Sequence, residues 1–311
     1  MYRYDKFMDI VTHALIGLAS SAGVMPTHPA LACGLVFGNV APDLDAFSRL
    51  GGKHAFLRFH QTYTHSLAAM LLPFLLAVGL SAVESQVLAE SALGFGIGMC
   101  MHVGLDLTNS YGVRCLWPLS RRRFALDWIF FIDVPIIVLT VFALIGAGIF
   151  QGEAHYLRAI SATYIVLLVL VVAMRGLIAR RIRLIESENQ RTDFSTAIIP
   201  TSFSPFEFLV CRQTDQAIVT SRVNAISGES DDVQQIANLD SSVPITIQQT
   251  REWQVMRELS PHFHAVELKS SDGIDTVVCR DLRIRNFDTK FGTLTCQVDA
   301  KGSIISKRWE V

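Results

Sequence analysis

Five groups of residues in this chain have the types and spacing for metal chemistry. They are His13; Asp43 and Asp45; His60 and His65; His102 and Asp106; and Asp127 with Asp133. On a helix, His102 and Asp106 stand at i, i+4, which puts both side chains on one face about 6 Å apart. An imidazole nitrogen and a carboxylate oxygen can then aim at one point, as zinc or another divalent ion requires. Asp43 and Asp45 stand at i, i+2 after Pro42, and two carboxylates that close repel unless a cation lies between them. His60 and His65, at i, i+5, cannot share a helix face. If Thr64 caps a helix starting near Ser66, His65 lies at its mouth and His60 reaches in from the loop.

Each group falls where an apolar run meets a polar stretch. Half of the 311 residues are hydrophobic and 18% are charged, and the mean hydropathy is +0.37. That is a membrane-protein composition. The net charge of -1 gives no bulk attraction for nucleic acid, and none is expected as a partner. None of the six cysteines forms a Cys-x-x-Cys pair, so no zinc ribbon or redox motif is indicated. Cys33 and Cys100, inside apolar runs, read as small core residues. Residues 1–10 carry Asp5 and Asp9 and do not read as a signal peptide.

Stepping along the chain gives about six hydrophobic segments. The first two, 12–24 and 30–41, are shorter than the ~20 residues a bilayer core requires; they read as two short spans or a re-entrant pair. Then come 66–82, kinked at Pro73; 87–107, with glycines for close helix packing; 128–150; and 159–177. Lys and Arg fall mainly in the loops on the side of the N-terminus, at Arg3 and Lys6, at 49–58, at 114–123 and at 180–183. The expected topology is therefore multi-pass with both termini cytoplasmic. On it all five groups reach the cytoplasmic face, and the lipid bilayer is the first partner. Asp133 reads as an ionisable residue inside an apolar helix, which implies a partner or a cavity. From 190 onward, short β-branched runs such as 217–223, 276–279 and 292–298 predict a mainly β domain. The expected layout is a helical polytopic membrane domain over 1–188, a linker over 189–204 and a small cytoplasmic β domain over 205–311.

At these residues the chain resembles the bacterial membrane-bound metal-dependent hydrolases of the inner membrane. Their pattern has an early Thr-His, a Pro-Asp-x-Asp, a His-Arg-Gly-x-Thr-His-Ser box, a His-x-x-x-Asp helix and aspartates entering the next span. Here these read Thr12-His13, Pro42 to Asp45, His60 to Ser66, His102 to Asp106, and Asp127 with Asp133. Gln61 and Thr62 depart from the pattern's Arg and Gly. The absent Arg is a natural phosphate contact, for which Arg58 is the substitute in reach. The His-x-x-x-Asp helix is also remotely similar to that of zinc-dependent phospholipase C and P1-type nucleases, which implies a phosphoester or phospholipid substrate and one zinc or more.

The expectation is a metal-dependent hydrolase of the inner membrane, acting through metal-activated water at the cytoplasmic face. Its ligands are His13, Asp43, Asp45, His65, His102 and Asp106, with Asp133, His60 and Arg58 in catalysis. The Arg121 to Arg123 run reads as a topology signal. An ion-relay transporter and a non-catalytic scaffold with a structural metal are the rival readings.

Overall fold

The computed structural model describes residues 5–189, 195–214, 216–260, 262–283 and 292–310, without side chains for 5–9, 188, 189 and 195. It divides into two compact units: 1–177 with 202–205, and 178–201 with 206–311.

The first unit is helical. α1 (Asp5–Ser21) and α2 (Pro29–Val40) form the expected hairpin, and α2 runs directly into a 3-10 segment, Ala41–Gly51. A short α3 (Lys53–Phe59) follows, then α4 (Leu67–Ala82), α5 (Gln86–Thr108), α6 (Val134–Ile149) and α7 (Ala154–Asn189). Six of these helices are the six expected apolar segments, yet among the described residues only three stretches are long and apolar enough to cross a membrane: 29–51, 86–108 and 154–187. The second segment reaches that length because the chain stays helical through Pro42, Asp43 and Asp45, where a polar loop was expected. The fifth is shorter than expected. Residues 109–133 are irregular apart from two isolated bridges, Asn109 with Ile129 and Val113 with Phe124.

Large apolar side chains such as Leu75, Val78, Phe142 and Val169 point outward, 61–71% exposed. Outward Leu, Val and Phe on helices that are apolar all round are suited to lipid. Cys33 and Cys100 belong to this outer surface and are exposed, not core residues as the sequence implied. Inside, Ile16, Ala19, Ile129, Ile136, Tyr164 and Leu168 form one cluster. Polar bonds stitch its helices together: Ser161 Oγ donates to the Ala19 carbonyl at 2.7 Å, and Thr140 Oγ1 meets Tyr164 Oη at 2.9 Å.

Glycine decides how α2 meets α5. A Cβ on Gly34 would lie 2.1 Å from the Ser91 carbonyl oxygen, one on Gly38 2.0 Å from that of Phe95, and one on Gly98 2.2 Å from that of Leu35. The two backbones touch directly, as the glycine pattern predicted. α2 leads to Asp43 and α5 carries His102 and Asp106, so this contact fixes the spacing of the metal-binding candidates.

The second unit has two four-stranded antiparallel sheets in sequential order. β1 (Ser195–Pro200), β2 (Glu207–Gln213), β3 (Ala217–Asn224) and β4 (Ser230–Ala237) form one, and β1 lies inside the stretch expected to be linker. After α8 (Ile245–Gln248) and α9 (Arg251–Leu259), β5 (Phe263–Ser271), β6 (Ile274–Asp281), β7 (Thr293–Asp299) and β8 (Ile304–Glu310) form the other. The mainly β character was legible from the β-branched runs.

Candidate metal centre

Four side chains from three parts of the helical unit converge. Asp43 comes from the 3-10 segment, His65 from the turn before α4, and His102 and Asp106 from α5; each offers one donor atom, and these atoms lie within 4.8 Å of one another. His65 Nε2 is 3.2 Å from His102 Nε2 and 3.2 Å from Asp106 Oδ2. His102 Nε2 is 3.5 Å from both Asp106 Oδ2 and Asp43 Oδ1, and His65 Nε2 is 4.0 Å from Asp43 Oδ1. A tetrahedral ion with bonds of about 2.0–2.2 Å separates its donors by about 3.3–3.6 Å. The separations among His65, His102 and Asp106, and that from His102 to Asp43, lie near that value, and the one from His65 to Asp43 is longer.

The tautomers are fixed by what surrounds the rings. His102 Nδ1 lies 2.8 Å from the Asn39 carbonyl oxygen, which can only accept. Nδ1 therefore carries a proton, which leaves Nε2 as the nitrogen that can turn to a metal ion. The Asn39 carbonyl is open to it for a local reason. In a 3-10 pattern the bond onto that oxygen would come from residue 42, and Pro42 has no N–H. His65 Nδ1 lies 3.0 Å from Thr64 Oγ1 and 3.4 Å from Asp45 Oδ2. Thr64 gives its own proton to Asp45 Oδ2 at 2.8 Å, so its oxygen accepts from Nδ1–H. His65 presents its Nε2 in the same way.

The two Nε2 atoms thus face each other at 3.2 Å beside two carboxylates, all buried to 2% exposure or less. Neither oxygen of Asp43 takes part in a hydrogen bond. A buried carboxylate left so is costly unless a cation balances it. Oxygen and imidazole donors in this arrangement could hold a metal ion.

The remaining expected residues are placed differently. Asp45 does not join the four: its oxygens are taken by His60 Nδ1 at 2.6 Å, the Gln61 N–H at 2.9 Å and Thr64 Oγ1 at 2.8 Å. It buttresses His65 from behind, an arrangement that fixes ring orientation and raises ligand basicity. His60 stands behind Asp45 and stacks on Phe56 at 4.6 Å. His13 stacks on His102 at 3.8 Å, and its Nε2 is 3.4 Å from Asp106 Oδ1. Arg58 is exposed and lies 6.0 Å over the Phe59 ring. Asp127 has a positive φ of 55° in the irregular stretch.

Asp133 is not inside its helix. It is the N-cap of α6, accepting from the Ile136 N–H at 3.3 Å, and it pairs at 2.6 Å with Arg175 of α7. Pro135 in the first turn is what starts the helix there. The α4 cap is Ser66, which accepts from the Ala69 N–H at 3.2 Å, in place of Thr64.

Sequence reasoning missed four contributors. The Asn39 amide holds the His13 carbonyl at 2.6 Å. Asn109 Nδ2 reaches Asp106 Oδ1 at 3.3 Å. Gln61 and Arg123 extend the set. Such partners are chosen by tertiary proximity; only the position of Asn109, three residues after Asp106, carried a local hint. On the Oδ1 side of Asp106 a cavity of about 30 Å³ is lined by His13, Asn109 and Asp133 with apolar walls from Ile16, Phe130 and Ile136.

A family model described as "YdjM inner membrane protein" matches residues 8–181. The chain is 29% identical over 153 residues to a Bacillus subtilis (strain 168) protein described as "Uncharacterized protein YfhP", covering 45% of this chain and 46% of that one. It thus spans about half the length of the curated relative it matches. No solved structure matches it, and the likeness to phospholipase C and P1-type nucleases finds no support in these matches.

Proposed function

This chain belongs to the YdjM inner membrane protein family, and from that premise we propose that it is a metal-dependent hydrolase whose site opens to the cytoplasmic face of the inner membrane. The substrate class is a phosphoester or lipid-like ester. The observation that carries the reading is the convergence of Asp43, His65, His102 and Asp106, with the two imidazole Nε2 atoms 3.2 Å apart. A divalent ion held there supplies Lewis acidity and brings the pKa of a water it holds toward neutrality.

The chain's own residues do the rest. Asp45 and the Asn39 carbonyl hold the two histidines in the liganding tautomer. The cavity beside Asp106 is large enough for one or two waters, since a single water needs about 10–15 Å³ of such volume, and its walls are largely apolar. His13 borders that cavity, and we assign it to take up the proton that a hydrolytic water releases. The Lys and Arg bias of the loops supports the cytoplasmic placement.

A second reading is favoured by burial. All four donors are 0–2% exposed, and closed four-ligand sites are structural whereas catalytic ones keep a position open. One experiment separates the two. Detergent-purified protein is assayed for divalent metal and for hydrolysis of a phosphodiester and phospholipid panel, beside His65→Ala and His102→Ala. The hydrolase reading expects stoichiometric metal and turnover in wild type and neither in the variants. Metal without turnover leaves the structural reading, and a wild type without metal refutes both.

A further inference from the structure

Gln61 occupies an unusual position. Its φ is +56°, a left-handed conformation that costs a non-glycine residue roughly 1 kcal/mol or more and persists only where the surroundings impose it. Here they do. Its N–H donates to Asp45 Oδ2 at 2.9 Å, its carbonyl accepts from the Arg114 N–H at 3.2 Å, and its side chain is buried.

That conformation aims the carboxamide at the metal centre. Gln61 Oε1 accepts from Arg123 Nη1 at 2.7 Å, and Nε2 lies 3.5 Å from Asp106 Oδ2. A guanidinium only donates, so the amide can face only one way: oxygen to Arg123, N–H to Asp106. The same Nη1 is anchored to the Gly112 carbonyl at 2.8 Å and the Tyr111 carbonyl at 3.4 Å. Asp106 Oδ2 is the oxygen that faces His65 and His102, so the relay ends on the liganding atom itself.

We infer that Gln61 is a positioning residue for the metal ligand Asp106, and that Arg123 acts on that ligand through it. This rests on the metal reading above. The guanidinium polarises the amide, the amide N–H holds Oδ2 in its liganding orientation, and the 109–126 loop becomes part of the site. Arg123 thus has a chemical task within a run that otherwise reads as a topology signal. The strain at residue 61 is explained by the aim it gives the amide.

The test is a double-mutant cycle on divalent-ion affinity, measured on the full chain in detergent by competition with a chromogenic chelator, with zinc as the probe. Gln61→Gly suits the left-handed backbone better than glutamine does, and a thermal unfolding midpoint recorded beside the affinity separates a folding defect from a lost ligand orientation. Gln61→Gly is expected to weaken zinc binding by about 10–100-fold, the usual range for losing an orienting partner. Arg123→Gln is expected to weaken it less, and the double variant to be no weaker than Gln61→Gly alone, because the two act in series.

Unchanged affinity in Gln61→Gly, with wild type binding zinc, overturns this inference and leaves the metal reading intact. Additive losses show Arg123 acting by a route other than Gln61 and overturn the relay. A wild type without zinc affinity removes the metal reading, and this inference with it.

Discussion

The pair between Asp133 and Arg175 allows a worked prediction, and it decides what Asp133 is for. Arg175 is fully buried, and its Nη2 donates to Asp133 Oδ2 at 2.6 Å while Nη1 donates to the Ser204 carbonyl at 2.9 Å. Asp133→Ala removes a charge-assisted hydrogen bond of about 1.5–3 kcal/mol and an N-cap of about 0.5–2 kcal/mol. It also leaves a buried guanidinium without its anion. The expected loss is about 3–5 kcal/mol, the range for removing one partner of a buried pair. Replacing both members with apolar residues, Asp133→Leu with Arg175→Met, is expected to recover most of it, because no buried charge is then stranded. Reversible unfolding in mixed micelles reads both. A loss below about 1 kcal/mol for Asp133→Ala, or a double variant as unstable as the single one, refutes the assignment of Asp133 to structure. If the double variant is stable yet has lost a hydrolytic turnover that wild type shows, Asp133 belongs to the chemistry.

Other outcomes follow from the same geometry. Gly98→Ala sets a methyl 2.2 Å from the Leu35 carbonyl oxygen; forcing α2 from α5 should cost at least about 1–3 kcal/mol and lower metal affinity. Gly104→Ala, with nothing within 4 Å, should be neutral or slightly stabilising, and equal effects in the two variants would contradict the backbone-contact argument. In the β unit, burial and the Arg283 guanidinium push the His262 imidazole down to about 4. The unfolded chain then binds more protons than the folded one between about pH 4 and 6.5, so this stabilisation is complete above 6.5 and drains away as pH falls toward 4. Amide protection of β5 and β6 in the full chain should fall across that window, and His262→Gln should flatten the slope; an unchanged slope clears His262. Arg121→Cys should react with a membrane-impermeant maleimide from the cytoplasmic side alone, and labelling from the other side reverses the proposed orientation.

What the sequence revealed and what it hid divide along a physical line. Apolar runs and glycine spacing are local, and they showed six helical segments and a close approach on the fourth; that α2 is its partner came only from the fold. His65, His102, Asp106 and Asp43 were readable because their types are costly next to apolar runs and need a reason to be there. The two aspartates of the Asp-x-Asp pair could not be told apart, since only the fold turns Asp43 toward the histidine nitrogens and Asp45 toward His60 and Thr64. Asp133 was placed inside a span because the apolar run begins before the helix does. Hydropathy does not see that Pro135 and the cap delay the start to Val134. Gln61, which breaks the box, was a gap in the pattern; the structure brings Arg123 onto its amide from 62 residues away, a pairing no spacing rule encodes.

The bond from His102 to the Asn39 carbonyl has one more consequence. The two liganding histidines differ in how substitution can reach them. His65 is oriented by side chains, Asp45 and Thr64, and a single codon change at either can misorient it. His102 is oriented by main chain, and every amino acid at position 39 brings the same carbonyl. A variant library should therefore keep His102 oriented through changes at 39, where the cost falls instead on the amide bond to the His13 carbonyl.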